Sequence, residues 1–379
     1  MTVRRGDISE WALWGKAVKA HTPVMFDAEL TARCNNDCTH CYNNLPAGDR
    51  EVRAAELSTA EWLELGAQAA DLGALSCLLT GGEPLLRDDF ADIYLGFRRL
   101  GLLVSVFTNA CLVDDDVVEL FRRYPPRDIE VSVYGATRET YERVSRRRGS
   151  YDAFVRGLDM LLEGGVPVRL KAMAIRSTRD ELDEIGAFCR ARTSDYYRFD
   201  PLLHLRLDGD ARRNEEIRAE RLPAAEIVAI ERADAERKGA LQNGCAEDGD
   251  LVSTDFEHWG CDHLFHCGAG NLSFTIGYEG TFRVCTAMCH PDTVVSVRGG
   301  APGAVTLREA WQDWIPHVRD LRGSDPDFLE RCRKCDVINL CMYCPAHAFL
   351  ETGRMDAWVG YFCEVAHARA AVGLGTAGC

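Results

Sequence analysis

The sequence predicts an α/β protein with a helix-covered parallel sheet, followed by a small cysteine-rich region. Three observations carry that reading. Between residues 23 and about 203, short β-rich runs alternate with longer helical patterns. After Asp208-Gly209-Asp210 the alternation stops, and from Cys245 onward glycine and cysteine become dense. The chain carries 17 cysteines in 379 residues, and they cluster, which in a reducing compartment points to metal ligation rather than disulfides.

The candidate strands are 23–29, 74–80, 102–108, 128–134, 166–175 and 197–203. Helical patterns fall between them at 58–72, 90–100, 114–123, 150–163 and 179–192. Ser58 followed by Glu61 fits a capping box, and Gly164-Gly165 is a helix stop. Regular alternation implies parallel strands, but it leaves a doubly wound sheet and a barrel equally open. Residues 211–240 are charged and Ala-rich and read as solvated bridging helices. The expected units are 20–210, a helical bridge 211–257, and a cysteine-rich domain 258–379 ending in a frayed tail from Val372. So few core-formers in that last unit call for bound metal as a staple.

Lys and Arg total 44 against 59 Asp and Glu, a formal charge of −15. That balance argues against nucleic acid or anionic lipid as the main partner. No apolar run approaches the about 20 residues of a membrane span, and the N-terminus lacks a secretory core. The chain is expected to be cytoplasmic.

Directly after the first strand stands Cys34-Asn35-Asn36-Asp37-Cys38-Thr39-His40-Cys41. Three thiolates at this spacing can hold three irons of a cubane cluster, and without a near fourth cysteine one iron stays open to a ligand. A zinc knuckle is the alternative, but zinc normally takes four ligands. The spacing, at the C-terminal end of a first strand, resembles the radical S-adenosylmethionine (radical SAM) family. Thr80-Gly81-Gly82-Glu83-Pro84 at the end of the second strand is similar to that family's GGE motif. The resemblance implies a partial, six-stranded (β/α) barrel over 23 to about 205. Glu83 and the backbone around Gly81, Gly82 and Pro84 would meet the methionine amino group. Thr108 and Asn109 would lie near the ribose, His40 would flank the adenine, Ser132 would line the site, and Lys171 would neutralise the methionine carboxylate.

The second array runs Cys261, Cys267, Cys285, Cys332, Cys335, Cys341, Cys344 and Cys363, with Gly280 before Cys285. Two zinc ribbons would use as many thiols, but only Cys332/Cys335 and Cys341/Cys344 have the knuckle gap. The order resembles the SPASM domain of radical SAM enzymes, which implies two auxiliary four-iron clusters. By that resemblance Cys261, Cys267, Cys285 and Cys344 ligate the first and Cys332, Cys335, Cys341 and Cys363 the second. Met342-Tyr343 leaves two residues where the family usually has three. Three 4Fe–4S clusters and S-adenosylmethionine are therefore the expected cofactors. Of the spare thiols, Cys77 and Cys189 read as buried small hydrophobes, and Cys111 and Cys289 as candidates to reach the cavity; Cys245 and Cys379 carry no role.

The resemblance implies reductive cleavage of S-adenosylmethionine and hydrogen abstraction from a peptide, ending in a thioether or carbon–carbon cross-link or an epimerisation during ribosomal peptide natural-product maturation. Sulfatase-type oxidation of Ser or Cys is disfavoured, because Thr286 stands where those relatives carry an Asp base. A small-molecule substrate such as a tetrapyrrole side chain or sugar is the second reading, and a plain iron–sulfur electron carrier the third. Asp200 and His204, alternating with apolar residues at the sixth strand's end, are the candidate proton acceptors. A flavodoxin- or ferredoxin-type reductant is implied. With 33 residues before Cys34 and 16 after Cys363, a leader peptide is expected to be received by a separate binding protein or the barrel mouth.

Overall fold

The computed structural model describes residues 13–195, 197–241, 262–335, 337–341 and 343–374. Its strands are β1 (Met25–Thr31), β2 (Arg33–Cys34), β3 (Leu45–Pro46), β4 (Ser76–Gly81), β5 (Leu103–Thr108), β6 (Ile129–Val133), β7 (Val168–Met173), β8 (Arg198–Asp200), β9 (Ser273–Ile276), β10 (Thr281–Arg283) and β11 (Val295–Ser296). The main helices are α1 (Leu13–Lys19), α2 (Arg50–Ala55), α3 (Thr59–Leu72), α4 (Phe90–Arg99), α5 (Asp115–Arg123), α6 (Arg138–Ser145), α7 (Ser150–Glu163), α8 (Leu182–Arg190), α9 (Ala211–Glu220), α10 (Ala224–Ala233), α11 (Pro345–Thr352) and α12 (Gly360–Ala371).

All six expected strands form, and they pair in parallel in the order β1-β4-β5-β6-β7-β8. Local signals set their helices. Ser58 and Glu61 make the reciprocal capping box of α3, which ends on left-handed Gly73. Trp62, Leu65, Gly66 and Ala69 then form its buried stripe at helical spacing. On β6 the alternation is clean: Ile129, Val131 and Val133 are buried against helices, while Glu130 and Ser132 face the other way.

β8 is shorter than the expected 197–203. Pro201 has no N–H for the ladder, and the Asp200 carboxylate accepts the Leu202 N–H at 3.1 Å, turning the chain away. In the described part of the expected bridge, residues 211–241, the two helices each bury one face. α9 buries Arg213, Asn214, Ile217 and Glu220. α10 buries Glu231, which takes two hydrogen bonds from Arg369 of α12 at 2.7 and 2.8 Å.

The cysteine-rich region joins the same sheet. β9 pairs in parallel with the free edge of β1, and β10 and β11 follow antiparallel. A buried ion pair between Glu29 of β1 and Arg283 of β10 fastens the junction. Phe274 stacks on Phe26 at 5.5 Å, and the Trp311 indole N–H donates to the His21 carbonyl at 2.7 Å. This region therefore extends the core of the first rather than building another. Among the described residues, no helix is long and apolar enough to cross a membrane.

Candidate active site

Pairing of β2 with β3 closes a loop, residues 35–44, just beyond the end of β1. It carries Cys38 and Cys41, and Cys34 at the end of β2 stands at its mouth. The C-terminal end of α6 holds its back: the Asp37 and Thr39 N–H groups donate to the Ser145 and Val144 carbonyls, each at 2.9 Å. Two buried arginines clamp it from the far side. Arg206 donates to the Asn44 side chain at 2.9 Å and its carbonyl at 3.0 Å, and Arg213 donates to the Cys38 carbonyl at 2.8 Å. Neither was singled out from the sequence, although an arginine inside Leu203-His204-Leu205-Arg206-Leu207 is a signal of a buried, bonded cation.

The Gly-Gly-Glu turn lies against the start of this loop. The Gly82 N–H donates to the Thr31 carbonyl at 2.7 Å and the Glu83 N–H to the Arg33 carbonyl at 2.9 Å. Gly81 has φ +129°, and a Cβ on Gly82 would collide with the Arg33 carbonyl oxygen. Both glycines are required by this backbone approach. Glu83, however, does not open toward a ligand. Its carboxylate is fully buried and accepts from the Thr108 hydroxyl (2.8 Å), the Asn109 N–H (2.8 Å) and the Leu85 N–H (3.1 Å). Burial pushes this carboxyl up to about 7. Glu83 thus positions Thr108 and Asn109, and neither it nor Pro84 lines the cavity described next. Asn109 passes the connection on, donating to the Asn35 side chain at 2.8 Å.

A cavity of about 280 Å³ sits at the C-terminal ends of the parallel strands. The three cysteines, His40, Gly81 and Gly82 form one side of it, and Thr108 and Asn109 another. Ser132, Lys171, Asp200 and His204 complete the wall. One cavity thus draws on the ends of β4 through β8 and the loop after β1, so the sheet curves into an open half-barrel. Lys171 lies 4.0 Å from Glu130, a cavity carboxylate not expected from the sequence. His40 packs edge-on to Tyr134, ring centroids 5.6 Å apart, and burial pulls it down to about 4. His204 is half-buried, and desolvation lowers it too.

The donor set at the loop fits an iron–sulfur cluster. Burial raises the pKa of Cys34, Cys38 and Cys41, and the neighbouring thiols raise Cys38 further. As thiolates they would need a cationic metal centre to offset their charge. Asn36 N–H donates to the Cys34 sulfur at 3.4 Å. Around them Asn35 Nδ2, Asn36 Oδ1, Thr39 Oγ1 and His40 Nδ1 are buried with no hydrogen-bond partner among the described residues, and Asn36 and His40 line the cavity.

The remaining cysteines fall into two groups. Cys332, Cys335, Cys341 and Cys363 border a second cavity, of about 600 Å³, and perturb one another electrostatically. Cys344 also borders it, yet its thiol neighbours are Cys285 and Cys267. Burial pushes Cys341 and Cys344 up to about 12. Cys261 lies outside the described residues, as do Cys245 and Cys379. Among the described residues no group of three or more His, Cys, Asp or Glu side chains is placed to hold a single metal ion. Cys77 and Cys189 are buried. Cys111 is buried as well, its thiol 3.5 Å from the Ser150 carbonyl, and Cys289 lines a separate cavity with Glu29 and Arg283.

An open parallel half-barrel with a three-cysteine loop beyond its first strand defines the radical SAM class of domain. Residues 28–189 match the model of the Radical SAM superfamily. The PqqA peptide cyclase of Ruegeria pomeroyi is 28% identical over 324 residues, 84% of this chain and 81% of that protein. The PqqA peptide cyclase of Gluconobacter oxydans is 32% identical over 168 residues, 44% of this chain and less than half, 46%, of that protein. In fold the chain is similar to Streptococcus suis SuiB bound to S-adenosylmethionine, with TM-score 0.61, 16% identity, and coverage of 93% of this chain and 80% of that one. SuiB bound to precursor peptide SuiA matches with TM-score 0.59.

Proposed function

We propose that this chain is a radical SAM enzyme that cleaves S-adenosylmethionine reductively and takes hydrogen from a peptide substrate, as a maturase of a ribosomal peptide natural product. One observation carries the reading. Cys34, Cys38 and Cys41 share a single cavity with Gly81, Gly82, Thr108 and Asn109, at the strand ends where ligands gather in such folds. The peptide as substrate is supported by relatives and a fold neighbour whose names include one.

Cys34, Cys38 and Cys41 would hold a four-iron cluster, which when bound supplies the electron that opens S-adenosylmethionine. The protein's own groups orient the cofactor. Gly81 and Gly82 present bare backbone, Thr108 and Asn109 are fixed by Glu83, and Asn36 and His40 of the loop line the same cavity. Lys171, beside Glu130, stands across the cavity as the cation for a carboxylate. Asp200 and His204 face the substrate side; with burial keeping His204 neutral, it is the better proton acceptor of the two, since Asp200 already holds the Leu202 N–H. Cys332, Cys335, Cys341 and Cys363 would hold one auxiliary cluster, and Cys267, Cys285, Cys344 and Cys261 another. A flavodoxin- or ferredoxin-type protein would be the reductant.

Anaerobic incubation of the reconstituted protein with S-adenosylmethionine and dithionite tests this. The reading requires 5′-deoxyadenosine to form in the parent protein and not in the Cys34→Ala, Cys38→Ala, Cys41→Ala triple variant. An electron carrier or scaffold would form none in either.

A further inference from the structure

The two cavities are separated by a wall of rings. Tyr42 meets His204 at 4.5 Å between centroids, His204 stacks on His347 at 5.2 Å and 16°, and His347 stacks on Phe362 at 4.8 Å and 20°. Tyr42 and His204 line the half-barrel cavity; His347 and Phe362 line the cysteine-rich one. The ends of the row are placed by covalent neighbours: Tyr42 follows Cys41 in the chain, and Phe362 precedes Cys363.

We propose that the Tyr42–His204–His347–Phe362 stack is a one-electron path between the thiols of the half-barrel loop and the group Cys332, Cys335, Cys341 and Cys363. The inference rests on the cluster assignment proposed above. Coupling between redox centres falls steeply across empty space and more slowly through π systems in contact. A row of such contacts ending next in the chain to a proposed ligand on each side is what that physics favours. Arg221 braces the far end. Its guanidinium donates to the Leu203 carbonyl at 2.7 Å, one residue before His204, and lies over the Tyr361 and Phe362 rings at 4.2 and 5.9 Å.

The step balances simply. One electron leaves a reduced four-iron cluster at the C-terminal cysteines, which passes from the 1+ to the 2+ state, and takes the half-barrel cluster from 2+ to 1+. No proton moves and no bond breaks. The first electron comes from an external one-electron donor of the flavodoxin class, replaced in the test by a photoexcited deazaflavin.

The test uses the full chain, reconstituted anaerobically and without S-adenosylmethionine. A light pulse injects less than one electron per chain, and freeze-quenched EPR follows its redistribution among the cluster signals. His347→Leu and Phe362→Leu should slow redistribution by about tenfold or more, with parent iron content and unchanged spectra of the separate clusters. His347→Phe, which keeps a ring in the stack, should stay near the parent rate. Redistribution at the parent rate in either iron-replete leucine variant would overturn the proposal. So would loss of iron from both, because the rings would then be supports of the sites and not a path. A parent protein that binds iron at only one site is a different failure, that of the cluster assignment, and is visible before any light pulse.

Discussion

Strands β1 and β4–β8 and strands β9–β11 belong to one sheet, yet they are held in it differently. Each strand of the first set buries a face under its own helices, as Ile129, Val131 and Val133 of β6 do. The second set shares its cover with the first, with Trp311 lying 5.7 Å from Phe274. Phe274 and Phe282 pack on each other, Phe274 leans on Phe26, and Arg283 pairs with Glu29, so β1 supplies their core. The cysteine loop of the half-barrel is braced by protein contacts through Arg206, Arg213 and Asn44. The C-terminal cysteines instead converge from segments far apart in sequence, and what their thiols hold would close those loops. On the proposed cluster assignment, one region braces its site through protein contacts, while the other would depend on its sites being filled.

The sharpest break in that contrast comes from the thiols. Replacing Cys34, Cys38 and Cys41 with Ala should abolish 5′-deoxyadenosine formation while leaving far-UV circular dichroism and protease resistance at parent levels. Replacing Cys332 and Cys335 should open the C-terminal region to proteolysis and stop product formation. Equal protease resistance in both variants would remove the asymmetry.

Next in size is the clasp between α10 and α12. Glu231→Ala leaves the Arg369 guanidinium buried without its partner and should cost about 3–5 kcal/mol in denaturant unfolding. A loss under about 1 kcal/mol would show that Arg369 reaches solvent on its own. Smaller again is Gly82→Ala. The added Cβ meets backbone oxygens of Ala32 and Arg33 that no side-chain motion can relieve, so about 1–3 kcal/mol of stability should go, together with S-adenosylmethionine binding.

The smallest effect depends on pH. Burial, then the charge of Glu29, push the Asp27 carboxyl from 3.8 up to about 6. The folded state thus binds this proton more tightly than the unfolded one. Its contribution is whole below about pH 4 and is lost as pH rises through about 6. Asp27→Asn should therefore stabilise the protein by on the order of 1–2 kcal/mol at neutral pH, and the gain should vanish at about pH 4. A gain independent of pH would assign the effect to packing.

The contrast also explains what was legible in the sequence. Six strands and their helices could be read because each announces itself locally: β6 alternates, α3 carries Ser58 and Glu61, and Asp114 caps α5 by accepting the Val117 N–H. The three-cysteine loop and the Thr108-Asn109 pair were readable for the same reason. β9, four residues long and some 240 positions from β1, has no local mark of its parallel pairing. Arg206, Arg213 and Glu130 act across the fold, where no short motif reports them. Glu83 was noticed for its motif, but its work on Thr108 and Asn109 follows from a carboxylate buried beside the next strand.

The central claim is that the half-barrel holds an open, S-adenosylmethionine-binding cluster and the cysteine-rich region two closed ones. Iron analysis with EPR of the dithionite-reduced, reconstituted protein addresses it most directly. The account predicts about twelve irons per chain and a single cluster signal that shifts when S-adenosylmethionine is added. It also predicts about eight irons and no shifting signal in the Cys34, Cys38, Cys41 alanine variant. A parent protein with about four irons, or with zinc in their place, would contradict it, as would a shift that survives in the variant.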